Sequence, residues 1–352
     1  MKVLFHLGHP AHFHLFKNVI SKLHSTGHAT IIAIKKKDVL ENLLISSGFD
    51  FVNVLPEGRK DDKFSIALGQ LKQDYQVLKI CMAQRPDLLV GTSVAISHVG
   101  KLLGIPSVNL NEDDAEIVPL YARLAYPWAT RIVAPNVCSV GKWTSKKDGY
   151  EGYHELAYLH PDNFAPSEQI ASKYINCHSP VTIVRFAKLG AHHDVGVSGL
   201  SDALAIELIE KLKAKGQIVI TSERPLSSEL EPYRKAIDPK DMHHVMAYAN
   251  LFVGDSQTMA AEAGVLGIPF IRFNDFVGRI SYLNELELKY HLGIGIRPSN
   301  PEKLIEEVEK MQLDDKERDL YQTRRQRMLG DKLDLSAHLF NYITTGQYLI
   351  KS

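Results

Sequence analysis

Cysteine is scarce in this chain. Three occur among 352 residues, Cys81, Cys138 and Cys177, far apart, odd in number and without a CxxC pair. That scarcity excludes a disulfide framework and a cysteine zinc site, and it makes a reducing cytoplasm the expected compartment. A charge excess of either sign is also missing. Lys plus Arg total 41 and Asp plus Glu total 41, for a formal net charge of zero. A dedicated nucleic-acid binder needs a basic surface to neutralise phosphates, so no nucleic-acid partner is expected. No stretch approaches the roughly 18 continuous apolar residues of a membrane span. The opening Met1–Gly8 reads as a first strand and not as a signal peptide. Any membrane association is expected to be peripheral, at the inner face. No DxD-like acidic metal motif follows a strand. Asp113-Asp114 is the acidic doublet near a strand end in the first half, and it lacks that spacing. Neither a metal nor a cofactor is expected.

What is present is ordinary globular composition, 45% hydrophobic and 23% charged. At roughly 150 residues per domain the length suggests two domains. Short β-branched runs alternate with helical patterns from Val3–Leu7 to Thr130–Ala134, and the alternation restarts at Val181–Phe186. Strands apolar on both faces and separated by helices indicate parallel sheets covered on both sides. The fold class is therefore α/β, with two tandem doubly wound Rossmann-like domains facing a cleft. The expected boundaries are 1–150 for the first domain, 151–178 for an interdomain connection and 179–332 for the second domain. A C-terminal helix occupies 333–352. The connection contains the tyrosines Tyr150, Tyr153 and Tyr158, packed on a domain face or binding.

Ligands of doubly wound sheets bind outside the carboxyl ends of the strands, so the loops there are the candidates. The first is Gly8-His9-Pro10-Ala11-His12-Phe13-His14. An imidazole works as a base near neutral pH, and His12, then His9, is the expected catalytic group. A capping or core role for individual histidines stays open. The second is Asn111-Glu112-Asp113-Asp114, where Glu112 or Asp113 supplies a base or orients a sugar hydroxyl, or simply begins a solvated helix. The third follows Val184, with Arg185 and Lys188 as phosphate partners and His193-Asp194 to hold a diphosphate or sugar. The fourth is Thr221-Ser222-Glu223-Arg224, where Ser222 and Arg224 suit a phosphate or a base edge.

The fifth carries most weight. Leu251-Phe252-Val253 leads into Gly254-Asp255-Ser256-Gln257-Thr258, a tight turn opening a helix. Hydroxyls and free backbone N–H groups there form a phosphate cradle. Glu262 stands one helical turn after Thr258, where it can accept hydrogen bonds from ribose hydroxyls.

This segment resembles the UDP-binding part of the lipid-II-forming N-acetylglucosaminyltransferase and of the non-hydrolysing UDP-N-acetylglucosamine 2-epimerases. The resemblance implies that Ser256, Gln257 and Thr258 take the diphosphate, that Glu262 holds the ribose, and that Met242 to Met246 borders the uracil. Across residues 1 to 345 the chain resembles the GT-B-like family called domain of unknown function 354. That likeness rests on His9-Pro10-Ala11-His12, Tyr126-Pro127-Trp128-Ala129, Glu155 to Pro161, Val184-Arg185-Phe186 with His193-Asp194, and Gly254-Asp255-Ser256. It implies that the C-terminal helix returns to the first domain, which would be the acceptor side. The expected function is a metal-independent glycosyltransferase. It moves a sugar from a nucleotide-sugar donor, UDP-linked, to a glycan or lipid-linked acceptor in cell-surface polysaccharide synthesis. A nucleotide-sugar 2-epimerase or hydrolase is the alternative, and a non-catalytic nucleotide-sugar binder the third reading.

Overall fold

Runs such as Val3-Leu4-Phe5 and Ile183-Val184 bury side chains on both faces at once, which only an internal strand of a covered sheet allows. The computed structural model describes residues 1–35, 39–56, 63–187 and 199–350, and of residues 63–66 only the backbone. The chain divides into two units, residues 1–158 with 333–352, and residues 159–332.

In unit 1 the strands are β1 (Lys2–Leu7), β2 (Ala29–Lys35), β3 (Val52–Leu55), β4 (Leu88–Gly91), β5 (Ser107–Leu110), β6 (Arg131–Pro135) and β7 (Lys147–Tyr150). They form one sheet of order β3-β2-β1-β4-β5-β6-β7, parallel throughout. Its helices are α1 (Pro10–Ser25), α2 (Leu40–Ser46), α3 (Lys63–Gln84), α4 (Val94–Leu103) and α5 (Pro119–Ala125). The 3-10 turn His154–Ala157 packs on α1, with Asn18 donating to the Ala157 carbonyl at 2.9 Å.

In unit 2 the strands are β8 (Val181–Phe186), β9 (Gln217–Ser222), β10 (Leu251–Gly254), β11 (Phe270–Phe273) and β12 (Gly293–Ile296). Their order is β12-β11-β10-β8-β9, again parallel. The helices are α6 (Glu168–Ala171), α7 (Asp202–Leu212), α8 (Met242–Ala247), α9 (Gln257–Leu266), α10 (Ser281–Asn284), α11 (Pro301–Lys310) and α12 (Asp315–Asp331). Each unit thus has one point where strand order reverses, between β1 and β4 in unit 1 and between β8 and β10 in unit 2. That is where a doubly wound sheet opens a crevice for a ligand.

A glycine stands at the carboxyl end of the inner strand at both points. A Cβ on Gly91 would lie 2.5 Å from the His6 carbonyl oxygen, and one on Gly254 would lie 2.6 Å from that of Arg185. Both strands approach their neighbour too closely for a side chain.

The segment read as an interdomain connection is divided, residues 151–158 belonging to unit 1 and 159–178 to unit 2. Tyr150, Tyr153 and Tyr158 are core residues of unit 1, at most 2% exposed. Residues 333–352 belong to unit 1. There the helix Leu335–Thr344 buries Leu335, Leu339, Tyr342 and Ile343, Lys22 lies over the Phe340 ring, and Tyr342 donates to Asp148.

Candidate functional site

At the unit 1 switch point His9 caps α1, its Nδ1 accepting the Ala11 N–H at 3.2 Å. His12, one turn in, accepts the Gly8 N–H on Nδ1 at 3.1 Å. The Thr92 hydroxyl, at the end of β4, lies 2.6 Å from His12 Nδ1 and 2.8 Å from its Nε2. His14 is a core residue, buried 5.3 Å from the rings of Phe13 and Tyr158.

The acidic run after β5 does not act as one cluster. Asp114 is buried and accepts the Ser139 N–H at 2.6 Å, which ties down the loop. Asp113 is half-buried, and its carbonyl takes a bond from Asn111. Glu112 turns to His154, accepting its backbone N–H at 2.9 Å and facing its Nδ1 at 3.3 Å. A carboxylate on Nδ1–H leaves Nε2 as the ring's acceptor. His154 Nε2 is enclosed and has no hydrogen-bond partner among the described residues. Sequence reasoning missed His154 because it stands 42 residues from its carboxylate with no local signal.

In unit 2 the turn after β10 is organised by Asp255. It is 3% exposed and accepts the N–H groups of Ala187 at 2.6 Å and Leu200 at 3.3 Å. Burial pushes its carboxyl up to about 6, against those two N–H bonds and the Arg185 charge, which lower it. Asn274, wholly buried, donates to the Asp255 carbonyl at 3.0 Å and so fixes the turn from below. Ser256 caps α9 through the Met259 N–H, while Gln257 and Thr258 sit half-exposed in its first turn. Glu262 lies a turn further on, buried, its Oε1 2.9 Å from Nε2 of the equally buried His243.

Arg185, at the carboxyl end of β8, pairs with Glu223. Arg224 lies over the Phe186 ring at 4.5 Å, donates to the Leu200 carbonyl at 3.1 Å and pairs with Asp202 at 2.7 Å. With Ala187, Leu200, Asp202 and Asp255 it lines a depression beside the β10–α9 turn. Ser222 bonds the Arg224 backbone in both directions, 2.7 and 3.1 Å, so it holds the turn that presents Arg224. Met246, expected at the base, is fully buried in α8 and offers a ligand no surface. The half-exposed neighbours are Met242 and His244. Lys188, His193 and Asp194 lie outside the described residues.

Two parallel-sheet units with these strand orders make a GT-B fold, and solved structures share it along the whole chain. The S. aureus MnaA–UDP structure is 13% identical and covers 100% of this chain and 98% of its own, with a TM-score of 0.69. The UDP-GlcNAc 2-epimerase from Neisseria meningitidis bound to UDP-GlcNAc is 15% identical over 99% of this chain and 100% of that one, at 0.70. The spinosyn rhamnosyltransferase SpnG complexed with thymidine diphosphate is 13% identical over 99% and 100%, at 0.64. At these identities the likeness is one of fold. The chain belongs to the family described as protein of unknown function (DUF354), whose model matches residues 1–291. No curated protein matches the sequence.

Proposed function

We propose that the protein is a GT-B-type glycosyltransferase that uses a nucleotide-sugar, UDP-linked, and needs no metal to do so. The observation that carries this reading is the β10–α9 turn. Asp255 draws two neighbouring loops together, Ser256 caps α9, and Glu262 waits one turn inside on a buried histidine. A helix N-terminus with half-exposed Gln257 and Thr258 suits a diphosphate, and Arg185 and Arg224 add positive charge from the adjacent strand ends. Helix dipole and guanidinium groups can stabilise the leaving diphosphate, the task a metal performs in other transferases. Glu262 takes the ribose hydroxyls. Neighbours of the same fold that bind UDP, UDP-GlcNAc or thymidine diphosphate support a nucleotide ligand.

Unit 1 supplies the acceptor side. There the candidate base is His12, then His9, in the loop after β1, with Glu112 or Asp113 after β5 as the next candidates. A glycan or lipid-linked acceptor in cell-surface polysaccharide synthesis fits an exposed apolar row on α3. Leu68, Leu71, Tyr75 and Met82 recur there at helical spacing, flanked by Lys72 and Lys79. Such a face suits peripheral contact with an anionic membrane surface on the cytoplasmic side.

A second reading, nucleotide-sugar 2-epimerase or hydrolase, has its own support. The epimerase from Neisseria meningitidis superposes at 0.70 and the rhamnosyltransferase at 0.64. One experiment separates them. Purified protein is incubated with UDP-sugars, with and without extracted glycan and lipid acceptors. Consumption that requires an acceptor supports transfer, whereas consumption without one supports the second reading. A thermal-shift panel of UDP, GDP, CMP and dTDP compounds first tests the nucleotide itself. A ligand at 100 times its dissociation constant adds roughly 2.7 kcal/mol.

A further inference from the structure

Arg272, on β11, is wholly buried, the largest such side chain among the described residues. In register it stands between Gly254 of β10 and Gly295 of β12. A buried ion pair is costly to desolvate, and apolar residues of similar volume pack as well or better. Packing alone therefore does not account for an arginine here. Its partner comes from a π-helical turn, Glu285–Lys289, closed by the Tyr290 N–H on the Glu285 carbonyl at 3.2 Å. That turn carries the buried Glu287, whose Oε1 lies 3.0 Å from Arg272 Nε and 2.8 Å from Nη2. Strand β12 makes room for the carboxylate, since a Cβ on Gly295 would stand 2.8 Å from Glu287 Oε2. The rest of the guanidinium turns to Asn274. Arg272 Nη1 donates to Asn274 Oδ1 at 3.4 Å, and the Phe276 N–H donates to the same oxygen at 3.0 Å. Two donors on that oxygen fix which way the amide faces. Its NH2 is left toward the Asp255 carbonyl, 3.0 Å away.

From this we infer that Arg272 and Glu287 are positioning residues for the β10–α9 turn, acting through the amide of Asn274. The inference rests on the reading of that turn as the diphosphate site. Glu287 holds the guanidinium, the guanidinium sets the amide, and the amide holds the Asp255 carbonyl. The Asp255 carboxylate meanwhile accepts the N–H groups of Ala187 and Leu200. The residue that opens the turn is thus fixed at both its carbonyl and its side chain. Groups ordered before the ligand arrives cost nothing to order when it binds. Without the ion pair the amide loses the charge that orients it, and the ligand must order the turn itself. The loss falls on the diphosphate, so it should be the same for a nucleoside diphosphate and for pyrophosphate alone.

Calorimetric titration of the full chain with UDP and inorganic pyrophosphate tests this, beside the melting temperature of each variant. Replacing the pair together, Arg272→Met with Glu287→Leu, leaves no buried charge unpaired, so the fold should survive. That variant is expected to bind UDP and pyrophosphate about tenfold more weakly, by the same factor for both. Asn274→Ala should produce a similar loss. Combining all three substitutions should add no more than about twofold to the loss in Asn274→Ala, because the pair acts through that amide. Such coupling in ligand affinity is what a merely structural ion pair would not show. If the pair variant does not fold, Glu287→Gln takes its place in the same cycle, with a loss of about threefold expected. Unchanged affinity in a folded variant, or losses that multiply across the cycle, would overturn the inference. If wild type itself binds neither UDP nor pyrophosphate, the reading of the turn as a diphosphate site falls instead.

Discussion

Residue by residue, several polar side chains of this protein have partners that sequence spacing does not reveal. The spacing puts Glu262 where it can accept from ribose hydroxyls, and in the structure its carboxylate is paired with His243 inside unit 2. Removing it would leave a buried imidazole without its partner, so Glu262→Ala is expected to lose stability as well as affinity. Glu262→Gln keeps a hydrogen-bonding group and is the better probe. Losing the charged acceptor should weaken UDP by about 1.5–3 kcal/mol, roughly ten- to a hundredfold, as read by calorimetry beside the melting temperature. In unit 1, His12→Gln should lower turnover at least tenfold while UDP affinity stays within about twofold, as read by kinetics beside calorimetry. Full turnover in both His12→Gln and His9→Gln would move the base to Glu112 or Asp113. A further residue, His6 on β1, bears on pH. Both its ring nitrogens lack partners among the described residues, and burial lowers it to about 4 from the ordinary 6.5. The native state holds it neutral, while the unfolded chain binds a proton below about 6.5. Its contribution is thus intact above that pH and is lost as pH falls toward 4, by up to about 3 kcal/mol. Urea midpoints of wild type and His6→Phe at pH 7.5 and 4.5 check this, and the variant should show the smaller acid loss.

Among the elements, most strands were legible because fully buried parallel strands must be apolar on both faces, as in Val3–Leu7 and Val181–Phe186. Strand β7 was not, since Lys147-Asp148-Gly149-Tyr150 has no apolar run. It forms because β6 offers an edge and because Lys147 caps the carbonyls of Asn136 and Cys138. The short helix α5 was also missed. Its C-terminal region is closed by Lys146, whose ammonium meets three carbonyls at 2.6–3.2 Å, a contact 17 to 20 residues distant. The β10–α9 turn could be read, because capping and glycine requirements are local. The pairs Glu112–His154, His12–Thr92 and Glu262–His243 could not, because sheet order alone decides which loops meet. At this scale Gly254→Ala should push β10 from β8 at the Arg185 carbonyl. A loss of about 1–3 kcal/mol together with weakened UDP binding is expected, measured by urea unfolding and calorimetry. The apolar row of α3 makes a separate prediction. Cosedimentation with anionic vesicles should fall severalfold in Leu71→Glu with Met82→Glu, while UDP affinity is unchanged. Equal pelleting by wild type and variant would remove the membrane role of that helix.

For the molecule as a whole, each unit carries its own sheet and core, so unfolding is expected in two resolvable steps. UDP should raise the step belonging to unit 2 and leave the other where it was, a contrast that scanning calorimetry with and without the nucleotide would read. A shift of both steps together would mean that the units melt as one body. The division of the chain also bears on synthesis. Unit 2 is a continuous stretch, residues 159–332, whereas unit 1 needs residues 333–352 to complete it. On the ribosome the first-made sheet must therefore wait, with the surface of α1 that receives Phe340 uncovered, until the second unit has been translated. Order of emergence and order of completion are inverted. Unit 2 can finish folding first, and residues 1–158 are the portion that a chaperone would have to shield longest.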